Sequence, residues 1–409
     1  MNRLQGRGWK WSIGILSLAC FIVVGARSSR STEVTSLPSI VDVALQDESP
    51  ASTRAVQELR AIGPEAVSYL MAHNELRKSP RWSTVLDTVA QQRDAQFSGL
   101  YWHTDLEQAI QVARREQKPI LSLRLLGNLT DELSCANSRF FRTTLYPQQE
   151  VRDLLASKFV LHWQPVRSVP IITIDFGDGR KIQRTITGNS AHMILDSYGR
   201  TVDILPGLFG AGEFVRELNA SGPVAVAMAN MNASDYCSQR QAYHAQRLVA
   251  LEQNLRDDST KAQLAAPAAL GTDLDTAIWS ALAAQYVAES IPRAQAAAAV
   301  EAKVPAELAN LRTMAKSISE SPLLRLTRNI GRSISEDTVR NKYHLHARFH
   351  RWMSEVGAPF DREMFIQHVY AELFLTPIHD PWYGLSRPDQ FSAITKDGRI
   401  DAIKPNTGD

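Results

Sequence analysis

The chain has 409 residues, which is enough for two to three domains with a sizeable core. Apolar residues make up 44% and charged residues 22%, a composition that excludes a wholly disordered, collagen-like or multi-span membrane protein. The 45 basic residues nearly balance the 43 acidic ones, so charge gives no reason to expect nucleic-acid binding. The 3 cysteines are too few for a disulfide framework, and no two of them form a CxxC motif.

The N-terminal segment has the pattern of an export signal. Three basic residues precede the apolar run WSIGILSLACFIVVGA at 11–26. The run is short for a membrane span, which needs about 20 residues, yet longer than the usual signal-peptide core. Residues 1–30 are therefore interpreted as a cleaved signal peptide or a retained transmembrane anchor, with lipid attachment at Cys20 as a third alternative. We expect an exported protein at the periplasmic face of the membrane, which it contacts through the anchor or only during export.

A linker and a helical hairpin are predicted next. Residues 31–50 are rich in Ser, Thr, Asp and Pro and indicate a linker without fixed structure. Within 51–95, apolar residues recur at helical spacing on both sides of Gly63 and Pro64, which must break the helix. The resulting hairpin resembles a single HEAT-like repeat. Because one repeat cannot form a solenoid, we expect it to pack against the following domain.

Helices and strands then alternate from 105 to 218, which is typical of an α/β layer fold. An amphipathic helix at 105–117 precedes a strand at 120–126. The stretch 171–187 contains two β-prone runs around a Gly-Asp-Gly turn and is the strongest hairpin signal in the chain. We expect the edge of this hairpin either to receive a partner strand or to cover the edge of the core.

Four short motifs lie within 96–222. They are Lys118-Pro119-Ile120-Leu121, Cys135-Ala136-Asn137-Ser138, Ser190-Ala191-His192-Met193-Ile194-Leu195-Asp196 and Pro206-Gly207. In this order the segment resembles the thioredoxin-like family, close to a secreted subgroup in which KPIL opens a strand, CxxC begins a helix and a cis-proline segment follows. The resemblance implies an α/β thioredoxin-like central domain, with a mixed sheet flanked by helices, between an all-α N-terminal hairpin and an all-α C-terminal region.

The segment departs from the family at the residues that carry its chemistry. Ser138 replaces the second cysteine and Ser190 the cis-proline, so Cys135 is a lone thiol that cannot complete an exchange without an outside thiol. The resemblance places Cys135 at a helix N-terminus, where N–H groups lower a thiol pKa. It implies that Cys135 is the nucleophile, that Ser138 donates a hydrogen bond to it, and that Ser190 positions a bound peptide. His192 is expected to approach Cys135. The alternatives are an inert Cys135 and a disulfide between Cys135 and Cys237.

The remaining sequence predicts helices at 235–316 and at 317–385, followed by a tail at 386–409. In the late helix KYHLHARFHRW, His346 and His350 lie four residues apart and share one face. His368 and Glu372 have the same spacing on the next helix. Two facing pairs of this kind would enclose a metal ion, so these four residues are the candidate ligands. Ordinary helix packing among aromatic neighbours is the alternative.

Three functions are compatible with these patterns. The first is an exported thioredoxin-like protein with a single thiol in envelope thiol–disulfide chemistry or thiol-dependent protein binding, at most a monothiol oxidoreductase. The second is a non-enzymatic protein-interaction module on a redox-inactive thioredoxin-like fold. The third is a metal-binding helical domain. We expect protein partners, no cofactor and no nucleic acid.

Overall fold

The computed structural model describes residues 36–185, 189–264, 269–287, 321–384 and 393–398. Both the predicted signal or anchor segment at 1–30 and most of the predicted tail lie outside these residues. No helix in the described part of the chain combines the length and the apolar character needed to cross a membrane. For the residues that the structure describes, this finding corrects the prediction of a transmembrane helix.

Four helices precede the sheet and share an apolar core of their own. They are α1 (Leu37–Ala44), α2 (Pro50–Ile62), α3 (Pro64–Ala72) and α4 (Trp82–Ala90). Gly63 separates α2 from α3 at a φ of 89°, so the predicted helical hairpin is present. Helix α1 lies inside the segment 31–50 that was predicted to be an unstructured linker. That prediction is wrong over this helix, because Ile40 and Val41 are buried against the other three helices.

The central part of the chain contains three further helices and six strands. In chain order they are α5 (Leu106–Glu116), β1 (Ile120–Leu126), α6 (Ala136–Phe140), α7 (Gln149–Lys158), β2 (Val160–Arg167), β3 (Ile171–Asp175), β4 (Lys181–Thr185), β5 (Ser190–Leu195) and β6 (Thr201–Pro206). A π-helical turn at Phe141–Leu145 continues α6.

Four strands form a mixed sheet in the order β2-β1-β5-β6. Strand β1 is parallel to β2 and antiparallel to β5, and β5 is antiparallel to β6. A parallel pair needs a long crossover, which α6 and α7 supply here. Every residue of β1, β5 and β6 is buried, because helices cover the sheet. The predicted mixed sheet with flanking helices is confirmed.

The remaining helices follow the sheet. They are α8 (Ala211–Met228), α9 (Ala233–Lys261), α10 (Thr276–Ala283), α11 (Ser321–Arg340), α12 (Ala347–Glu355) and α13 (Arg362–His368). A π-helical turn at Asn341–His346 joins α11 to α12, and another at Val369–Leu373 continues α13. Helices α8, α9 and α12 pack beside the sheet, and α9 lies along α12. This packing brings late helical residues next to strand β6.

Candidate functional site

Cys135 lies at the position that the sequence predicts but is inaccessible. It is the N-cap residue of α6, and its Sγ accepts a hydrogen bond of 3.4 Å from the backbone N–H of Ser138. Its side chain is 0% exposed, and burial raises its pKa despite the hydrogen bonds from Ser138, which lower it. A protonated, buried thiol is a poor nucleophile. Cys135 and Cys237 are both free, so the disulfide alternative is wrong.

Neighbouring polar groups close the loop around Cys135. The hydroxyl of Ser138 donates to Ser134 Oγ at 2.6 Å or to the carbonyl oxygen of Cys135 at 2.9 Å. The guanidinium of Arg142 is 3% exposed and donates to the carbonyl oxygen of Asp131 at 2.6 Å. Arg142 also pairs with Asp94 at 3.1 Å. These contacts hold the loop before α6 against the protein and leave no opening to the sulfur.

Ser190 is built into the sheet. It is buried, it pairs with Leu125 of β1, and its carbonyl oxygen accepts a hydrogen bond from the N–H of Gly207 at 2.7 Å. Its Oγ accepts from Nδ2 of Asn137 at 3.0 Å. Because these groups already have partners inside the protein, the predicted role of Ser190 in positioning a bound peptide is corrected.

His192 belongs to the aromatic core. Its Nε2 lies 2.8 Å from the hydroxyl of Tyr146, and its ring packs edge-on against Phe141 and Phe214. Burial lowers its pKa to about 3, so the ring is neutral at neutral pH. Within the described residues no hydrogen bond joins His192 to Cys135. The predicted Cys–His pair is therefore not formed.

Strands β3 and β4, with the turn between them, form a separate two-stranded sheet, which we call the hairpin arm (171–185). It does not cover the edge of the central sheet. Alternation along the strands places four large apolar side chains on one face of the arm. They are Ile172, Ile174, Phe176 and Ile182, with exposed fractions of 43%, 49%, 52% and 37%.

The opposite face of the hairpin arm is more polar, and its base is fixed. That face carries Ile171, which is also 49% exposed, together with Thr173, Gln183 and an exposed ion pair of 3.0 Å between Asp175 and Lys181. At the base, Thr185 Oγ1 accepts a hydrogen bond from Arg139 at 2.7 Å. The arm therefore projects from a fixed base with one apolar face open to solvent.

A second group of titratable side chains lies where β6, α9 and the late helices meet. Its members, which we call the Asp–His cluster, are Asp203 of β6, His244 of α9, His346 of the π-helical turn and His350 of α12. Nε2 of His346 lies 3.0 Å from Oδ1 of Asp203, and Nδ1 of His244 lies 2.7 Å from Nδ1 of His350. The rings of His346 and His350 are 4.0 Å apart. All four residues are 0% exposed.

Charges around the Asp–His cluster are arranged in separate pairs. Tyr243 donates to Oδ2 of Asp203 at 2.5 Å. Arg247 forms a close ion pair with Glu217, whose Oε2 lies 3.8 Å from Nδ1 of His346. Nearby, Lys342 pairs with Glu213 at 2.9 Å. Both basic side chains thus have a carboxylate partner other than Asp203.

Burial sets the protonation of the cluster. It lowers the pKa of His244 to about 4 and the pKa of His350 well below its usual value. Burial opposes ionisation of Asp203, but the charge and hydrogen bond of His346 hold its pKa below the ordinary range. His244 and His350 are therefore neutral and Asp203 is ionised, and these are the forms in which imidazole and carboxylate groups bind a metal ion.

The predicted ligand set is only half correct. His346 and His350 come together as expected, and with Asp203 they form a group of side chains close enough to hold a metal ion. His368 and Glu372 are exposed and lie outside that group, and the ring of His368 packs against Trp352 instead. Because α13 and the π-helical turn after it present these two side chains to solvent, their assignment as ligands is wrong.

Sequence reasoning missed Asp203 and His244. The signal for Asp203 was an acidic residue inside the otherwise apolar strand TVDIL, since a buried charge in a strand needs a partner. His244 gave no local signal, because a histidine in the middle of a long polar helix is ordinary. Comparison of the chain with protein-family models, curated proteins and solved structures gave no match.

Proposed function

We propose that the protein is a non-enzymatic protein-interaction module built on a redox-inactive thioredoxin-like domain, and that the hairpin arm contacts the partner. The observation that carries this proposal is the exposed apolar face of the arm. Isoleucine and phenylalanine side chains that share one face of a projecting hairpin cost free energy in water. Such a patch is characteristic of an interaction site.

The thioredoxin-like framework is supported by the order of elements. A parallel β-α-β unit leads into an antiparallel strand pair and a closing helix, and Cys135 stands at the start of the helical segment that follows the first strand. This order is compatible with the resemblance of segment 96–222. The arm at 171–185 is an insertion between β2 and β5 of that framework.

Redox inactivity is supported by the surroundings of the thiol. Thiol–disulfide exchange needs an accessible thiolate, and the rate falls with the fraction of thiolate present. The sulfur of Cys135 is covered on all sides, its pKa is raised by burial, and a serine stands at the position of the resolving cysteine. These properties favour an interaction module over envelope thiol chemistry.

Two features of the hairpin arm support binding of an extended partner segment. In a two-stranded sheet each strand has one edge without a strand beside it, and a partner strand binds such an edge through main-chain hydrogen bonds. The apolar face then covers the partner's side chains. Since about half of each apolar side chain is already shielded, burial of the rest contributes roughly 1 kcal/mol per side chain.

The size of the patch favours a partner segment over a second copy of the chain. A stable dimer buries roughly 1,200–2,000 Å² in total. Four partly shielded side chains on a hairpin with two five-residue strands present only a fraction of that area. Addition of one strand, in contrast, needs a single edge and a few apolar contacts. We therefore assign the apolar face to an extended, apolar segment of another protein.

Site-specific photo-crosslinking in cells tests this assignment. A photoreactive residue at position 174 lies on the apolar face, and one at position 183 lies on the opposite face of the same arm and serves as the matched control. We expect a discrete adduct with another protein from position 174, at least ten-fold stronger than from position 183. The adduct should disappear when Ile172→Lys is added, while the circular dichroism spectrum stays unchanged.

Three results would overturn the proposal. They are equal labelling from both positions, absence of any adduct, and an adduct whose mass and peptides are those of two copies of this chain. The partner identified from the adduct would then be purified and its affinity for the full chain measured by calorimetry. Binding that Ile172→Lys leaves unchanged would also contradict the role of the arm.

A further inference from the structure

We infer that the Asp–His cluster is a binding site for a divalent transition-metal ion, with Zn²⁺ as the ion that its chemistry fits best. Asp203, His346 and His350 have donor atoms within 4.8 Å of one another, and we infer that His244, whose Nδ1 lies 2.7 Å from Nδ1 of His350, is the fourth ligand. Three imidazoles and one carboxylate are a donor set that zinc accepts in proteins. The set is assembled from strand β6, helix α9, the π-helical turn that ends at His346, and helix α12. Nothing in the local sequence of any one of these elements requires that arrangement.

The first argument is that the donor atoms face one another. In an ordinary buried network, each histidine bonds to backbone or to outside side chains. Here Nε2 of His346 faces Asp203, and Nδ1 of His244 faces Nδ1 of His350. At 2.7 Å, the two Nδ1 atoms can form a hydrogen bond only if one of them carries a proton and the other does not. If both atoms bind the same metal ion, neither carries a proton.

The second argument concerns buried atoms without partners. In the described part of the chain, Nδ1 of His346 and Nε2 of His350 are fully buried and accept or donate no hydrogen bond. A buried polar atom without a partner costs about 1–3 kcal/mol. An ion held by the opposite nitrogens of the same rings, Nε2 of His346 and Nδ1 of His350, would leave these two atoms as they are, and the two metal–nitrogen bonds would offset their cost.

The third argument is the distance between donors. Zn²⁺ binds nitrogen at about 2.0–2.1 Å, so neighbouring ligands around it lie roughly 3.3 Å apart. The contacts within the cluster, at 3.0 Å and 2.7 Å, are close to that spacing. The donor atoms of Asp203, His346 and His350 all lie within 4.8 Å of one another. Small rotations of the side chains are enough to admit an ion.

The fourth argument is charge. Asp203 is a fully buried carboxylate, and among the described residues its only ion-pair partner is His346. The nearby Arg247 and Lys342 are occupied by Glu217 and Glu213. Burying a carboxylate without a permanent cation is costly. A divalent cation would supply the missing positive charge.

Surrounding residues support a structural role for the ion. Tyr243 donates to Oδ2 of Asp203 and thereby fixes the orientation of the carboxylate, as outer residues of metal sites do. His346 ends a π-helical turn, a distortion frequently found at functional sites. Since all four ligands are buried, no position is open to a substrate. The ion would join the edge strand β6 to α9 and α12 and so stabilise the C-terminal helices on the sheet.

Titration of the purified full chain with metal salts alone tests the inference. After removal of metal with EDTA, the protein should bind one equivalent of Zn²⁺ by calorimetry, and Zn²⁺ should raise its melting temperature. Co²⁺ in the same site should give visible absorption bands that Zn²⁺ abolishes. Failure of the wild-type chain to bind one equivalent of either ion would overturn the inference, whatever the variants do.

Variants then locate the site. His346→Gln and Asp203→Asn should abolish the stoichiometric binding, and Tyr243→Phe, which keeps every ligand, should weaken it about 10–100-fold. His368→Gln is the matched control, because it removes an exposed histidine of the neighbouring helix. If His346→Gln fails to fold, the Zn²⁺ affinity of Tyr243→Phe still tests the assigned ligands. Unchanged affinity in folded Tyr243→Phe, or lost binding in His368→Gln, would contradict the assigned ligands.

Discussion

Two buried polar regions of this protein differ in what burial does to them. Around Cys135, a single thiol is enclosed by hydrogen bonds from residues close to it in sequence, and burial raises its pKa and makes it inert. In the Asp–His cluster, four buried side chains from separate elements of the fold face one another. Here burial lowers the pKa of His244 and of His350 and keeps both rings neutral. Burial therefore lowers the reactivity of a lone thiol. Several buried donors that face one another, in contrast, are suited to bind a metal ion.

The hairpin arm and the surroundings of Cys135 differ in their exposure to solvent. Its base bonds to the loop that carries Cys135, through Thr185 and Arg139. The same corner of the protein thus contains a sealed thiol and a projecting apolar surface. Of the two, only the arm can meet a partner without a structural change. Four predictions test this contrast.

The closure of Cys135 predicts strong protection from alkylation. In the native full chain near neutral pH, iodoacetamide should modify Cys135 roughly a thousand-fold more slowly than in the urea-unfolded chain, because labelling requires an opening that costs at least about 4 kcal/mol. Mass spectrometry of the Cys135 peptide gives the rate, and Cys237, which is also buried, is the internal control. A native rate within ten-fold of the unfolded rate would show an open thiol and restore the redox hypothesis.

Loss of the Arg142 contacts should destabilise the closed loop. Arg142→Met leaves Asp94 and a buried carbonyl of the loop without their partner, so we expect the free energy of unfolding to fall by about 3 kcal/mol and alkylation of Cys135 to accelerate. Urea denaturation measures the first effect. Arg152→Met removes an exposed ion pair with Asp153 and should change stability by less than about 0.5 kcal/mol. Equal losses in both variants would refute the special role of Arg142.

His192 should make the protein sensitive to acid. The pKa of His192 is about 3 in the folded chain and about 6.5 in the unfolded chain, so the unfolded chain binds a proton at a higher pH. The free energy of unfolding therefore falls as the pH drops from 6.5 toward 3. Between pH 7 and pH 5, the wild type should lose about 2 kcal/mol more than His192→Gln, which cannot titrate. Urea midpoints at the two pH values give the difference. A His192→Gln variant whose stability fell as much as that of the wild type would show that His192 titrates normally.

Substitutions on the apolar face of the hairpin arm should hardly affect folding. Ile174→Thr removes a side chain that is half exposed, so the free energy of unfolding should change by less than about 0.5 kcal/mol. Leu121→Ala in the buried strand β1 should cost about 2–5 kcal/mol and serves as the contrast. Urea denaturation compares the two. A large loss from Ile174→Thr would mean that the arm supports the fold and is not reserved for a partner.

Local patterns were sufficient for much of the fold. The break at Gly63, the strand after Lys118 and Pro119, and the hairpin around Gly177 and Gly179 all follow from the backbone properties of glycine and proline and from apolar periodicity. These signals act within a few residues. The resemblance of the segment, in turn, placed Cys135 correctly at the start of a helix. Helix α1 was missed because a short amphipathic helix in a polar segment resembles a linker.

The candidate sites were harder to predict, since they depend on exposure and on distant contacts. The spacing of His346 and His350 was enough to place them on one face, but it could not show that the face turns toward β6 while His368 turns toward solvent. Likewise, nothing in the sequence Cys135-Ala136-Asn137-Ser138 shows that the sulfur of Cys135 is buried. Strand pairing, turns and helix starts are encoded by neighbouring residues and could be predicted from the sequence alone. Tertiary packing decided which of those residues water can reach and which donors meet, because burial and convergence arise only when segments far apart in the chain pack together.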